Sequence, residues 1–332
     1  MFKNKGLTYM NSHIPCQICG NNSLKPQEQE IDILETLSEW EKVVSREFPK
    51  SVWNHYKHIE SKQKLYMCST CGFEIFLPPT SGTVDFYNTV TAEDYYVKEK
   101  WEHIQGIKDI IKIKPRKLLD FGCGSGDFLE YLREKTPEIS AKGFDYSSDA
   151  AKIARSRGFH VLSGNFPESL NLPANSNFDV ITMFQVLEHV SEPDNIILKA
   201  KNLLKDNGFL IIGVPDNEGC VRHVPDAISN MPPHHVSRWR ESIFRSGFLH
   251  LGFRVARVAK EPLPDYLWEM YLPIMWEDGI WPKKIMEPAT IFSHSTKEKR
   301  ISFFIHMMKF FGIKFLNGVP GHTIYALLQK AD

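Results

Sequence analysis

The spacing of apolar residues divides the chain into a helical module, a core of short strands and a second helical part. Between Glu28 and Lys64, apolar residues recur at helical spacing, which predicts one or two helices broken near Pro49. From about Pro115 to Lys260, short apolar runs alternate with amphipathic stretches, the pattern of parallel strands joined by helices. The sequence therefore predicts an α/β core preceded by a smaller module.

The last strand pair of this core is interrupted by an insert. Gly252–Val258 alternates like a strand, but its antiparallel partner comes only at Gly321–Lys330. The insert, residues 261–320, ends in a long apolar run and is rich in aromatic residues. These include Tyr266, Trp268, Tyr271, Trp276 and Trp281. We weigh a lid over an acceptor pocket, a homodimer interface, a surface that meets a lipid-linked substrate, and a buried helix pair. Lys309 and Lys314 are compatible with membrane contact, which we rank below a buried helix pair.

Three glycines follow the first apolar run of the core at alternate positions. They are Gly122, Gly124 and Gly126. The stretch Leu118–Leu129 predicts a buried strand, a tight turn and a helix beginning at Asp127, where bare backbone and free N–H groups can meet a ligand. A dinucleotide fingerprint would have its third glycine at Asp127, which argues against a dinucleotide site. With Asp120 before it, the loop resembles motif I of the class I S-adenosylmethionine (SAM) methyltransferases.

Further segments extend this resemblance over residues 115–260. The strand Ala141–Asp145 ends in an acid, which can accept hydrogen bonds from both hydroxyls of a ribose. The runs Phe178–Val190 and Asn207–Pro215 resemble the ubiquinone-pathway O-methyltransferases. The resemblance implies a Rossmann-like, seven-stranded sheet that binds SAM. The residues it assigns to the cofactor are Asp120, Gly122, Gly124, Gly126, Asp145, Tyr146, Asn165, Phe166 and Gln185. Such enzymes commonly have an acid where Asn165 stands.

Four of the six cysteines form two C-x-x-C pairs, each followed directly by a glycine. That glycine permits the left-handed turn which aims backbone N–H groups at the sulfurs, and two such knuckles can give zinc four sulfur ligands. A disulfide or a redox-active pair is the alternative. Four thiolates leave no position open for substrate, so we expect the zinc ion to be structural. The predicted ligands are Cys16, Cys19, Cys68 and Cys71.

Two histidines and a tyrosine are the candidate catalytic residues. A double proline leads to His234 and His235 in the loop after a core strand, where a histidine can take a proton from a hydroxyl or an acidic carbon as the methyl arrives. Zinc-ribbon methyltransferases acting on deoxysugars have a Glu-His pair at a similar position, and His235 matches its histidine. Ser237 is a candidate cap for the following helix. Tyr96 either lines the methyl-transfer pocket or packs in a linker helix.

A metal-assisted mechanism is the other option that the resemblance raises. In the similar ubiquinone-pathway enzymes, an acid-x-x-Glu-His run is implicated in metal-assisted catalysis. Gln185 replaces the first acid of that run, which argues against a metal there. The alternative interpretation is that Glu188 and His189 cap or brace the following helix.

Charge and composition restrict the partners and the compartment. Forty basic residues balance forty acidic ones, so no overall field attracts nucleic acid or anionic membrane. Residues 1–80 hold nine of each sign, whereas a zinc ribbon that grips nucleic acid should have a basic face. The N-terminus has no apolar core of signal-peptide length, and no apolar window is long enough to span a membrane. We expect a cytoplasmic protein with reduced thiols.

The predicted organisation has five parts. They are a zinc-ribbon module with a helical insert (1–80), a segment closing over the cofactor (81–114), the SAM-binding core (115–260), a helical insert (261–320) and the last strand (321–332). The predicted function is histidine-assisted O- or C-methylation of a small molecule or of a sugar or glycan precursor, such as a nucleotide-linked sugar in polysaccharide biosynthesis. The competing hypotheses are a zinc-ribbon RNA methyltransferase and a non-catalytic SAM-binding scaffold.

Overall fold

The computed structural model of the protein describes residues 14–90, 99–164, 177–277 and 296–331, which form two β-sheets and their covering helices. The strands are β1 (Leu24–Asp32), β2 (Lys62–Cys68), β3 (Glu74–Leu77), β4 (Lys117–Phe121), β5 (Ser140–Asp145), β6 (Val161–Ser163), β7 (Phe178–Phe184), β8 (Leu204–Pro215), β9 (Ser237–Arg238), β10 (Phe253–Pro264) and β11 (Phe315–Lys330). The helices are α1 (Ile33–Val44), α2 (Lys50–Lys57), α3 (Val84–Val90), α4 (Trp101–Ile113), α5 (Asp127–Lys135), α6 (Ser148–Ser156), α7 (Pro193–Leu203), α8 (Glu241–Gly247), α9 (Trp268–Glu277) and α10 (Lys297–Phe310).

The larger sheet has seven strands in the order β10-β11-β8-β7-β4-β5-β6. β11 runs in the direction opposite to the other six strands. Adjacent residues of β4 belong to different core clusters, Leu118 on one face and Leu119 on the other, because a parallel sheet is buried on both faces. The connections reverse direction between β4 and β7, and ligands bind outside the carboxyl ends of the strands at such a point. The predicted α/β fold is confirmed.

The smaller sheet belongs to the N-terminal module and has the order β1-β2-β3-β9. The sequence predicted one or two helices between the cysteine pairs, and two are present, α1 and α2. Asp32 caps α1 by accepting a hydrogen bond from the Leu34 backbone N–H at 2.8 Å, and α1 ends where Ser45 adopts a left-handed conformation. α1 buries Trp40, and the segment between the two helices buries Phe48, both against Phe86 of α3. The module therefore has a small core of its own.

The module also shares a second core with the methyltransferase-like part of the chain. Its fourth strand, β9, comes from the segment after β8 and pairs with β3. Ile18 and Phe73 of the module lie in the same buried cluster as Trp239 and Phe244. The sequence predicted Ser237 as the cap of α8, and this prediction is wrong. Ser237 lies in β9, and α8 begins only at Glu241. The two parts are consequently fused along one face.

The insert lies at the end of a long hairpin. β10 and β11 continue to pair as far as Pro264 opposite Phe315, so the last strand begins before residue 321, where the sequence predicted it. Beyond the hairpin, α9 and α10 bury apolar residues against each other. These residues are Trp268, Leu272, Met275, Ile301, Phe304, Ile305 and Met308. Trp281 lies outside the described residues. In the part of the chain described, no helix is both long and apolar enough to cross a membrane.

Candidate functional site

The glycine loop lies at the carboxyl end of β4, where the sequence predicted it. Gly122, Gly124 and Gly126 have φ angles of 77°, 53° and 90°, which residues other than glycine rarely adopt. The Gly122 N–H donates to the Phe144 carbonyl of β5 at 2.7 Å, so the loop is fixed to the neighbouring strand. A Cβ atom at Gly122 would lie only 2.3 Å from Val186. The backbone here must therefore stay bare.

Asp145 joins the loop to the next helix. One carboxylate oxygen accepts the Gly124 N–H at 2.7 Å, and the other accepts the Ser147 N–H at 2.8 Å. Burial raises the pKa of Asp145, and these two hydrogen bonds oppose that shift. Tyr146 follows with an exposed ring. An acid and an aromatic ring are thus available beside the loop, at the end of β5.

Asp120 lies behind the glycine loop in the protein interior. It is buried and accepts a hydrogen bond from the Thr182 hydroxyl of β7 at 2.6 Å. Burial raises its pKa to about 7, and the charge of Asp145 acts in the same direction. Asp120 therefore ties β4 to β7 at the point where the loop begins.

Gln185 follows β7 in a left-handed conformation, with φ at 55°. Its backbone N–H donates to the Gly213 carbonyl at 2.7 Å, and its side-chain amide donates to Glu102 of α4 at 3.1 Å. A residue other than glycine in this conformation costs about 1–2 kcal/mol. Such strain is typical of functional sites, where the surrounding structure holds it in place.

One cavity of about 730 Å³ connects these residues, a volume within the usual range for small-molecule sites. One end is lined by the glycine loop, Asp145, Tyr146 and Gln185. The other end is lined by α3, by the segment after β7, by α7 and by a loop histidine. The polar residues of this second end include Ser81, Tyr87, His189, Ser191, Glu192, Asn195, Lys199 and His234. A ligand could therefore contact both the core and the segment that leaves the N-terminal module.

Three histidines cluster at this second end. The rings of His189, His234 and His235 lie 4.4 to 4.9 Å apart between centroids. The His189 Nδ1 atom is 2.7 Å from the His234 carbonyl, so Nδ1 carries the proton in the hydrogen-bonded tautomer. The Tyr87 hydroxyl donates to the same carbonyl at 3.3 Å. Burial lowers the pKa of His189 to about 3, so its ring is neutral.

The two adjacent loop histidines have different surroundings. The His234 Nδ1 atom donates to the Ser229 carbonyl at 2.9 Å, which leaves Nε2 as a hydrogen-bond acceptor. Burial lowers the pKa of His234 to about 4, so the ring is neutral and able to take a proton. His235 is buried and is not among the described residues that line the cavity. The resemblance pointed to His235 as the candidate base. The geometry favours His234 for this role, because His234 is the one of the two that lines the cavity.

Glu188 is a buried acid that the sequence analysis considered both as part of a metal-assisted run and as a cap or brace for the following helix. Its side chain has no exposed surface, and neither carboxylate oxygen has a hydrogen-bond partner among the described residues. One oxygen lies 3.6 Å from the His189 Nε2 atom. Burial raises the pKa of Glu188 to about 8. Its adjacency to His189 in the sequence was visible, but its complete burial depends on the packing around it.

Three predicted site residues cannot be compared with the structure, and a tyrosine that lines the cavity was not predicted. Asn165, Phe166 and Tyr96 lie outside the described residues. Tyr87 of α3, which the sequence analysis did not single out, lines the cavity. The signal was weak, because one aromatic residue in a short linker helix is common in any fold. Only the approach of α3 to the histidine loop reveals it.

The four cysteines of the module come together as predicted. Cys16 and Cys71 have sulfurs 3.7 Å apart, and the sulfurs of Cys19 and Cys68 are 3.6 Å apart. All four ligand atoms lie within 4.8 Å of one another. Zinc–sulfur bonds of about 2.3 Å in a tetrahedron require sulfurs roughly 3.8 Å apart. The glycines after each pair have φ angles of 72° and 81°, so both knuckles have the predicted left-handed turn. This donor set fits zinc.

Comparison with known proteins identifies the family. A family described as a methyltransferase domain matches residues 93–258, half of the chain. The chain belongs to this methyltransferase family. The chain is 28% identical to the mitochondrial ubiquinone biosynthesis O-methyltransferase of Candida albicans, over 47% of each chain. It is 30% identical to the demethylmenaquinone methyltransferase of Thermotoga maritima, over 34% of this chain and 49% of the relative. The chain spans about half the length of the curated relatives it matches.

Among solved structures, the chain is similar to a SAM-dependent methyltransferase from Archaeoglobus fulgidus. The identity is 18%, the TM-score is 0.43, and the match covers 69% of this chain and 94% of the other. The family match over residues 93–258 confirms the resemblance to methyltransferases that the glycine loop indicated. The roles of individual residues stay predictions.

Proposed function

We propose that the protein binds SAM in the 730 Å³ cavity and transfers its methyl group to a small-molecule acceptor. One observation carries the proposal: the bare glycine loop, Asp145 and His234 all line this same cavity. Gly122 and Gly124 expose backbone for the methionine part of SAM, and Asp145 accepts hydrogen bonds from the ribose. Tyr146 provides a ring beside the adenine, and Gln185 lies toward the sulfonium.

Bound SAM supplies an activated methyl group on a sulfonium that is itself a good leaving group. The work left to the protein is to align the acceptor with the methyl and to remove a proton. His234 is our candidate base, because the Ser229 carbonyl holds the proton on Nδ1 and leaves Nε2 free to accept one. Tyr87 contributes to this arrangement by donating to the His234 carbonyl. The acceptor is then a hydroxyl or an acidic carbon.

The acceptor end of the cavity favours a molecule with several polar groups. Hydroxyl, amide, carboxylate and ammonium side chains line it, including Ser191, Glu192, Asn195 and Lys199. Ser81 and Ser191 also share a hydrogen bond at 2.8 Å across the junction of the two parts. A nucleotide-linked sugar is the narrower candidate that we carry from the sequence, and quinone precursors are the class suggested by the relatives' names.

We also propose that Cys16, Cys19, Cys68 and Cys71 hold one structural zinc ion. The support is the spacing of their sulfurs and their shared burial. With zinc bound, the four ligands would hold the N-terminal knuckle against the β2–β3 turn. The module would then support the segment that carries Ser81 and Tyr87 to the cavity. The zinc ion has no part in the chemical step of this proposal.

Calorimetric titration of the protein with SAM, with its demethylated product and with NAD tests the cofactor. We expect SAM and the product to bind, and NAD to give no heat. Asp145→Ala should abolish measurable SAM binding, whereas Asp149→Ala, an exposed acid in the next helix, should leave the affinity unchanged. Circular dichroism must show that both variants are folded. Unchanged SAM affinity of folded Asp145→Ala would disprove the ribose assignment, and NAD binding would disprove the cofactor.

An acceptor screen with labelled SAM then tests the substrate class. Nucleotide-linked sugars and hydroxylated aromatic quinone precursors form its two arms. Transfer of label to a sugar supports the narrower candidate, and transfer only to the aromatic compounds contradicts it. If SAM binds and no small molecule accepts the methyl, the non-catalytic scaffold becomes the better interpretation.

A further inference from the structure

Helix α10 has apolar residues on two faces. Ile301, Phe304, Ile305 and Met308 face α9 and are buried there. A helix that is hydrophobic all round is normally buried all round. The second face of α10 nevertheless lies exposed in the described part of the chain.

This second face, which we name the outer face, consists of Phe303, Met307, Phe310, Phe311 and Ile313. The first three lie at positions i, i+4 and i+7 of α10, so they are on one side of the helix. The last two extend the same apolar surface past the helix end. Phe310 is 85% exposed and Phe311 is 70% exposed. Single exposed apolar residues are common, but a contiguous set of this kind marks an interaction surface.

The segment that contains the outer face has an excess of basic residues, although the chain as a whole is neutral. Residues 296–316 contain five basic residues and one acid. The basic residues are Lys297, Lys299, Arg300, Lys309 and Lys314. Lys309 pairs with Glu269 of α9 at 2.9 Å. Two copies of this face brought together would oppose like charges, so the charge disfavours a dimer and favours an anionic partner.

The outer face also has a defined position relative to the cavity. β10 runs in the same direction as β4, β7 and β8, because both β10 and β8 are antiparallel to β11. The insert follows the carboxyl end of β10, at Pro264. The insert therefore lies at the edge of the sheet where the glycine loop and the cavity lie.

We propose that the outer face docks on an anionic lipid surface, with its phenylalanines in the interfacial layer and its cations against the lipid phosphates. A helix with large apolar side chains flanked by Lys and Arg has this affinity, because buried apolar area and attraction to acidic lipids add together. Docking would hold the cavity edge of the sheet close to the membrane. The attachment is peripheral and does not depend on whether the cavity binds SAM.

Sedimentation of the full chain with lipid vesicles tests this proposal. One vesicle preparation is phosphatidylcholine alone, and the other has a third of its lipid replaced by phosphatidylglycerol. We expect binding to the anionic vesicles that weakens with added salt, and little binding to the neutral ones. The double variant Phe310→Ser with Phe311→Ser should bind at least tenfold more weakly. Lys299→Gln with Lys314→Gln should weaken binding about tenfold and reduce its salt dependence.

Leu249→Ser is the matched control, because Leu249 is 69% exposed and lies outside the insert. Its binding should equal that of the unmodified protein, and all variants should keep the same circular dichroism spectrum. Absence of vesicle binding, or equal loss in the Leu249 control, would overturn the proposal. So would a dimer by light scattering that the Phe310 and Phe311 double variant converts to a monomer, because a second copy would then cover the face.

Discussion

Replacing Gly122 with alanine tests the reason for the bare glycine loop. The substitution has two separate costs. The φ angle of 77° is a left-handed conformation that costs an alanine about 1–2 kcal/mol. The new Cβ would also lie 2.3 Å from a Val186 methyl, and forced contacts of this kind cost about 1–3 kcal/mol. We therefore expect Gly122→Ala to lower the free energy of unfolding by roughly 2–5 kcal/mol.

Gly312 offers a control that separates the two costs. Its φ angle is 69°, and a Cβ there would meet nothing within 4 Å. Gly312→Ala should therefore have only the conformational cost. A double-mutant cycle with Val186→Ala isolates the steric part, since removing the valine methyls should recover about 1–3 kcal/mol of the loss at Gly122.

Urea unfolding followed by tryptophan fluorescence measures each free energy. A SAM titration of the same variants shows whether Val186 has been pushed into the cavity instead. The reasoning is refuted if Gly122→Ala and Gly312→Ala lose the same stability with unchanged SAM affinity, or if the cycle shows no coupling between Gly122 and Val186.

Three further predictions follow from the site. Burial raises the pKa of Glu188 to about 8, so between about pH 4.5 and pH 8 the folded protein keeps a proton on Glu188 that the unfolded chain releases. The contribution of Glu188 to the free energy of unfolding is therefore full below pH 4.5, and it falls by at most about 1.4 kcal/mol per pH unit until pH 8. Glu188→Gln should lack this component in urea titrations, and a constant difference from the unmodified protein at pH 5 and pH 8 would contradict it. His234→Gln should lower kcat by a factor of about 10²–10⁴ and leave the SAM Kd unchanged, and added imidazole should partly restore kcat. Because burial lowers the pKa of His234 to about 4, the pH profile of kcat/KM for the unmodified protein should show no histidine inflection between pH 6 and 7. The Cys71→Ser variant should contain no zinc by metal analysis, whereas the control Cys220→Ala should keep its zinc. Because Cys71 shares a core cluster with Phe244, Cys71→Ser should also lower the Tm of the whole chain in one calorimetric transition. A separate early transition for the module would show that the two parts unfold independently.

The parts of the fold that depend on local patterns could be predicted from the sequence. Three such features are the Gly122–Gly126 loop, the strand ending in Asp145 and the two cysteine knuckles. In each of them, a few neighbouring residues provide both the backbone conformation and the groups that can contact a ligand. The helices between the cysteine pairs follow from apolar spacing alone. Such features need no knowledge of distant contacts, and the structure has them where they were predicted.

The acceptor end of the site could not be predicted in the same way. His234 and His235 are adjacent on irregular chain, where no periodicity tells which side chain faces a cavity and which is buried. Tyr87 reaches the cavity only because α3 packs on α1 and lies over the histidine loop. Ser237 lies in a strand because β3 has an open edge next to it. In each case a contact between distant segments decides the outcome.

The pairing of β3 with β9 affects the order in which the protein can fold. Ile75 pairs with Ser237 and Glu74 with Arg238, so these partners are far apart along the chain. During synthesis both cysteine pairs emerge before the core, but β3 keeps an unpaired edge until Arg238 has left the ribosome. Contacts of such long sequence separation form slowly, and an exposed strand edge promotes aggregation. The module is thus synthesised before the core but is completed only after most of the core.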